Sequence, residues 1–215
     1  MILVNDIYKS VQGEGRLVGT PMVVLRLHGC TVGCSWCDTK QTWSLKHEAS
    51  ELESALGENQ NYANIGEARL ADLCREIGGP NIKWVMLTGG EPCEQDLDTL
   101  IVNLRRQGFK VNLETSGTQP LPKNEPEWIC VSPKYAFRKP LQNVLEDADE
   151  IKVVICTVKD LKENLDELKR LRDYGIIVSL QPVAGSKSAL GVCISAATEY
   201  GFNLSIQMHK VIDIL

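Results

Sequence analysis

The sequence predicts an α/β protein: an incomplete parallel (βα) barrel with an N-terminal strand or hairpin extension. Short Val- and Ile-rich runs alternate with amphipathic helical stretches, the order that builds parallel βα units. Six of the runs end in polar signatures, and in a parallel βα barrel those C-terminal strand ends form the active-site face.

Residues before Pro21 read as the N-terminal strand or hairpin. Strands are expected at 22–27, 83–87, 110–114, 128–131, 150–155, 176–180 and 204–208, each rich in Val or Ile and bounded by Gly, Pro or Ser. Helices are expected at 68–77, 96–107, 160–174 and 188–200. In the third of these, Leu161, Leu165, Leu168 and Leu171 share one face, with charges elsewhere. From 44 to 66 the pattern turns polar and uneven, with Gly57, Asn59, Asn61 and Asn64, and reads as an insertion of helix plus loop. No repeat, low-complexity tract or interdomain linker interrupts the chain, so residues 1–215 are read as one domain.

Composition narrows the function classes. The chain has 215 residues, 43% hydrophobic, which argues against disorder. Its 23 Lys and Arg against 28 Asp and Glu give a net charge of −5, against a large nucleic-acid-binding surface. The start, MILVNDIYKSVQGEG, has no basic leader before an apolar run, and no stretch is long enough to span a bilayer. A cytoplasmic protein with no nucleic-acid or membrane partner is expected. Its 8 Cys then divide between cofactor ligands and buried thiols rather than disulfides.

Three of them, Cys30, Cys34 and Cys37, fall in one loop with the spacing CxxxCxxC. Structural zinc ordinarily takes four protein ligands, and here His28 and His47 are the nearby candidates for a fourth. An iron–sulfur cube held by three thiolates keeps one open iron position. Downstream, Gly89 and Gly90 follow a strand in TGGEP, where the missing Cβ lets peptide groups approach a ligand closely. Ser116, Ser132, Lys134 and Gln181 end other strands and offer hydroxyls, a cation and an amide. Near the N-terminus, Gln12 and Glu14 suit a guanidine-like or aminopyrimidine edge, and Arg26 suits a carboxylate.

The cysteine spacing with Trp36 inside it, followed by TGGEP, resembles the radical S-adenosylmethionine (SAM) enzymes. Taken in order, SVQGEG, RLHGC, CSWCDT, TGGEP, ETSGT, VSPK, LQP and QMHK are similar to the 7-carboxy-7-deazaguanine synthases within that group, over residues 10–210. The resemblance implies a lyase with a [4Fe–4S] cluster on Cys30, Cys34 and Cys37, whose open iron chelates SAM. Electron transfer splits SAM to a 5′-deoxyadenosyl radical, which abstracts hydrogen from the substrate. It implies ring contraction of 6-carboxy-5,6,7,8-tetrahydropterin to 7-carboxy-7-deazaguanine, with loss of ammonia, in queuosine precursor biosynthesis. SAM contacts carried over are Trp36, Cys37, Asp38, Gly89, Gly90, Glu91, Ser116, Ser132, Pro133, Lys134 and Gln181. Pterin contacts are Gln12, Gly13, Glu14, Arg26, Thr88 and His209, and Thr39 would hold Mg²⁺ together with the substrate carboxylate. A homodimer and a reducing donor such as a flavodoxin are further expectations from the resemblance. Two other readings share parts of the pattern: a radical SAM activase acting on a protein glycyl radical site, and a non-enzymatic iron–sulfur or zinc module.

Overall fold

The computed structural model describes residues 1–45 and 62–212. Nine strands form one sheet: β1 (Ile2–Val11), β2 (Pro21–Leu27), β3 (Ala63–Ile65), β4 (Trp84–Gly89), β5 (Lys110–Thr115), β6 (Trp128–Val131), β7 (Glu150–Ile155), β8 (Ile177–Pro182) and β9 (Asn203–Leu204). Their order is β3-β1-β2-β4-β5-β6-β7-β8-β9. From β2 onward every pairing is parallel, while β1 runs antiparallel to both β2 and β3. The N-terminal extension is therefore the single strand β1, one of the two forms expected, laid antiparallel on β2. No pairing joins β9 to β1 or β3, so the barrel is open.

Each parallel strand alternates two chemistries with period two. One set of side chains is apolar and packs under the helices: Val23, Leu25 and Leu27 on β2, Val85 and Leu87 on β4, Val111 and Leu113 on β5, Ile151, Val153 and Ile155 on β7. The residues between them face a shared cavity: Arg26 on β2, Thr88 on β4, Glu114 on β5, Lys152 on β7 and Gln181 on β8. Polar residues inside apolar strands thus mark the inner wall.

The helices are α1 (Glu67–Gly78), α2 (Asp98–Arg106), α3 (Gln142–Glu146), α4 (Val158–Asp173), α5 (Lys187–Tyr200) and α6 (Met208–Val211). One core joins β1 to β5 with α1 and α2, and a second joins β6 to β8 with α3, α4 and α5. Thr157 starts α4 with a capping box, its side chain accepting from the Asp160 amide while Asp160 reaches back to the Thr157 amide. Leu161, Leu168 and Leu171 are buried as the helical pattern requires, and Leu165 is partly buried. Ser186 caps α5, and Gly201 ends it in the left-handed region at φ 70°. No helix of the described residues is long and apolar enough to cross a membrane.

Strands 128–131 and 150–155 lie where the sequence put them, and the other central elements differ at their ends by one or two residues. The C-terminal run departs more. Only Asn203–Leu204 of the expected strand 204–208 pairs with the sheet, and the chain then turns into α6. The Ser205 hydroxyl donates to Gln181 Oε1 at 2.9 Å and accepts from the Gly15 amide at 2.9 Å. The Met208 amide then donates to the Gly13 carbonyl at 2.9 Å. These bonds draw the chain off the sheet toward the β1–β2 turn. The helix-plus-loop reading of 44–66 falls mostly outside the described residues, and its end forms β3.

Candidate functional site

The inner wall encloses a cavity of about 1100 Å³. A pocket for one drug-sized ligand holds roughly 300–1,000 Å³, so this cavity has room for more than one. Every residue expected at the site lines it except Pro133, which is buried.

The cysteine loop lines part of the cavity. The Cys37 amide donates to the Cys34 carbonyl at 3.0 Å, and Gly29 and Gly33 hold φ of 103° and 73°, so the chain turns sharply on both sides of Cys30. The Thr39 amide donates to Cys37 Sγ at 3.4 Å, and its hydroxyl lies 3.4 Å from the same sulfur. His28 is engaged elsewhere: its ring stacks on Tyr62 at 4.2 Å, with Nε2 2.7 Å from the Ser44 carbonyl. His47 lies outside the described residues.

The two glycines after β4 are fitted to this loop. The Gly90 amide donates to the Leu27 carbonyl at 3.0 Å and the Glu91 amide to the Gly29 carbonyl at 2.9 Å. A Cβ on Gly90 would overlap the Gly29 carbonyl, and Gly89 has φ 116° with Leu27 N 2.5 Å from where its Cβ would be. The close approach expected toward a ligand is therefore made first to the chain's own cysteine loop.

Glu91 is 2% exposed. Its carboxylate accepts from the Cys93 amide at 3.1 Å, Thr115 Oγ1 at 2.5 Å, the Ser116 amide at 2.7 Å and Ser116 Oγ at 2.5 Å. It clamps the loop after β4 to the loop after β5, and the Ser116 hydroxyl proton is spent in that clamp. Lys134 donates to Ser132 Oγ at 2.6 Å and lies 5.1 Å from the centre of the Trp36 ring. Burial pulls its ammonium below the usual lysine range, with Lys152 adding to the effect.

The turn after β1 lines another part of the cavity. Glu14 Oε2 takes Lys152 Nζ at 2.8 Å, and Oε1 takes Gln207 Nε2 at 2.7 Å. Burial alone would raise this carboxyl; Lys152, Gln207 and His209 outweigh it and hold it near 2. Its ion pair supports the fold at every pH above the unfolded carboxylate range, and is lost only as pH falls toward about 2. Gly13 has no room for a side chain, because His209 Nδ1 lies 2.5 Å from where its Cβ would be. Arg26 and Thr88 are register partners on β2 and β4, and Arg26 Nη2 donates to the Tyr8 hydroxyl at 2.9 Å.

The structure adds residues that the motifs did not assign. Lys152 and Glu114 form the floor beside Glu14, and Tyr8 supports Arg26. Lys210 reaches Asp38 Oδ2 at 2.9 Å and ties the C-terminal segment to the cysteine loop. The signal for Lys152 was its place in the apolar strand EIKVVI. Of the five other cysteines, Cys74, Cys130 and Cys193 are buried, while Cys93 and Cys156 are half-buried. Cys130 faces Glu114 and Lys152 rather than the outer core.

No group of three His, Cys, Asp or Glu among the described residues is arranged to hold a single metal ion. A cubane asks for a different arrangement, since each thiolate binds its own iron. The three cysteines on one glycine-flexed loop at the cavity wall fit such a group. The neighbouring hydroxyls, amide and cations fit a ligand bearing ribose and carboxylate.

The radical SAM superfamily signature matches residues 24–187. The chain is 38% identical to the 7-carboxy-7-deazaguanine synthase of Escherichia coli (strain K12), covering 98% of each protein. It is 32% identical to the enzyme of the same name from Buchnera aphidicola, again over 98% of each. The crystal structure of QueE from Escherichia coli superimposes with a TM-score of 0.88 at 34% identity, covering 97% of this chain and 94% of that one.

Proposed function

The chain belongs to the radical SAM superfamily and, within it, to the family of the 7-carboxy-7-deazaguanine synthases, and on that premise we propose that it converts 6-carboxy-5,6,7,8-tetrahydropterin to 7-carboxy-7-deazaguanine with loss of ammonia, in queuosine precursor synthesis. The observation that carries the reading is the polarity of the cavity. The cysteine loop, the part-buried carboxylates of Glu14 and Glu114, and Arg26 all line the one cavity.

Cys30, Cys34 and Cys37 hold the [4Fe–4S] cluster, and the wall formed by Trp36, Asp38, Gly90, Ser132, Lys134 and Gln181 holds SAM. Bound together, these cofactors supply the one-electron chemistry that begins with hydrogen abstraction from the substrate. Glu91 and Ser116 act by fixing the two loops that carry this wall, and Pro133 supports it. Glu14 accepts from the N–H edge of the pterin ring, with Gln12, Gly13, Thr88 and His209 beside it. Arg26 pairs with the ring carboxylate. Thr39 supplies a hydroxyl to Mg²⁺, a hard cation whose remaining ligands come from substrate oxygens. Residues 1–215 work as one domain in a cytoplasmic homodimer, reduced by a small electron carrier such as a flavodoxin. The glycyl-radical activase and the structural metal module are not favoured, because the synthase relatives match along 98% of the chain.

The test is an anaerobic assay of reconstituted enzyme with reductant, SAM and carboxytetrahydropterin. The deazaguanine acid is the expected product; a colourless protein that holds only zinc and makes none would refute the reading. Glu14→Ala should raise the substrate KM by about 10–100-fold, the loss of one or two charge-assisted hydrogen bonds. SAM affinity should stay within about twofold. Equal loss of both would remove Glu14 from the pterin contacts.

A further inference from the structure

The floor of the cavity contains a buried cation that the motifs leave without a role. Lys152, in the middle of β7, has a side chain 5% exposed. Its Nζ lies 2.8 Å from Glu14 Oε2 and 2.9 Å from Glu114 Oε2. The two carboxylates come from different elements, the turn after β1 and strand β5. Gln12 Nε2 donates to the other Glu114 oxygen at 2.9 Å, and Gln207 Nε2 to the other Glu14 oxygen at 2.7 Å. The five side chains form one chain of hydrogen bonds, Gln12–Glu114–Lys152–Glu14–Gln207, with Lys152 at its centre.

We propose that Lys152 is a positioning residue which fixes the polarity of the cavity floor: its single ammonium holds Glu14 and Glu114 side by side as hydrogen-bond acceptors, and so selects ligands that present a donor-rich edge of the aminopyrimidinone kind. This deepens the reading of the site as a pterin site and rests on it.

Two carboxylates and one ammonium leave one negative charge on the floor. Both amide donors, Gln12 and Gln207, are already turned onto the carboxylates. What the floor offers an incoming ring is the remaining lone pairs of four carboxylate oxygens, which accept and do not donate. Without Lys152 the two part-buried carboxylates would face each other with no cation between them. Like charges that close do not both stay ionised, so one would take up a proton and become a donor. The floor would then present mixed polarity to the ligand. The charged and titratable groups facing this cluster are Cys130 from β6, Lys134 just after β6, Glu150 at the start of β7, and His209 from α6 beside Glu14. Among the described residues, only Lys152 bridges both carboxylates.

The probe is 6-carboxypterin, an unreactive ring that keeps the aminopyrimidinone edge, bound to the cluster-loaded enzyme and followed by its fluorescence. The readout is the ratio of variant to wild-type affinity from about pH 7.5 to about pH 6, a range over which Glu14 stays ionised in the wild type. Lys152→Met should weaken binding about tenfold at the upper end of that range, and about tenfold more at the lower end, as one carboxyl protonates. Lys152→Arg should restore most of the affinity and a pH-independent ratio. SAM affinity should not change in either variant. Should Lys152→Met fail to fold, Lys152→Met with Glu114→Gln removes the repulsion and should still bind at least about tenfold more weakly than wild type. Wild-type affinity in that double variant would overturn the proposal. So would a pH-independent ratio for Lys152→Met, or a loss equal at every pH that Arg does not repair, which is what damaged packing would give. A wild type that neither binds 6-carboxypterin nor forms product would overturn the pterin reading itself, and this proposal with it.

Discussion

Cys34→Ala is expected to reduce product formation by about 10³-fold or more, with iron content and the cluster absorbance falling alongside. The side chain is small and 6% exposed, so its loss as packing costs only about 1 kcal/mol. The loop around it is held by backbone bonds that need no sulfur: Cys37 amide to Cys34 carbonyl, Gly90 amide to Leu27 carbonyl, Glu91 amide to Gly29 carbonyl. The protein should therefore fold with near-normal Tm and fail only where the cluster is required. Iron per chain, the absorbance of the reconstituted protein and turnover should fall together. Product at the wild-type rate would remove Cys34 from the ligand set.

Gly90→Ala should give nearly the same loss of activity with all three cysteines in place. Its φ is not positive, so an alanine would not strain the backbone there. The obstacle is the overlap of the new methyl group with the Gly29 carbonyl, and both sides of that contact are main chain. No side chain can swing away; either the loop after β4 or the cysteine loop must move. Overpacking of this kind costs about 1–3 kcal/mol or more, which in a chain of this size lowers Tm by about 5–10 °C. Misplacement of the cysteines should also lower cluster occupancy after reconstitution. Gly191→Ala is the control: it sits inside α5 with nothing within 4 Å of its added Cβ. It should leave cluster content unchanged and raise Tm slightly, as alanine does in a helix.

The legible parts of the fold were those whose pattern is local. Strand EIKVVI and helix Val158–Asp173 carry strong periodicity and clear boundaries, and they lie within two residues of the expected positions. The C-terminal run LSIQM has a strand's composition, yet Ser205 and Met208 bond to a turn 190 or more residues earlier, and that contact decides its path. The three-residue β3 and five-residue α3 are too short to carry a period. At the site, the cysteine spacing and the glycine pair were legible because few residue types can replace them. The clamp role of Glu91 was not, since its four partners come from one adjacent loop and one distant strand. Lys152 had a signal that went unused. A charged residue in the middle of a strand expected to be buried on both faces must either break the strand or face a cavity.

The floor of the site joins the two ends of the chain. Gln207 meets Glu14 across 193 residues of sequence, Ser205 meets Gly15 across 190, and Lys210 meets Asp38 across 172. During synthesis, β1 to β5 can pack on α1 and α2 while the ribosome is still translating the second half. Glu14 must wait for its Gln207 partner until residues beyond 205 emerge. The order of biogenesis is thus set by topology: the loop that carries the cysteines can form early, and the compartment that admits substrate is completed last. A chain stopped before residue 205 would keep its cysteines and glycines and still lack a finished place for the molecule it acts on.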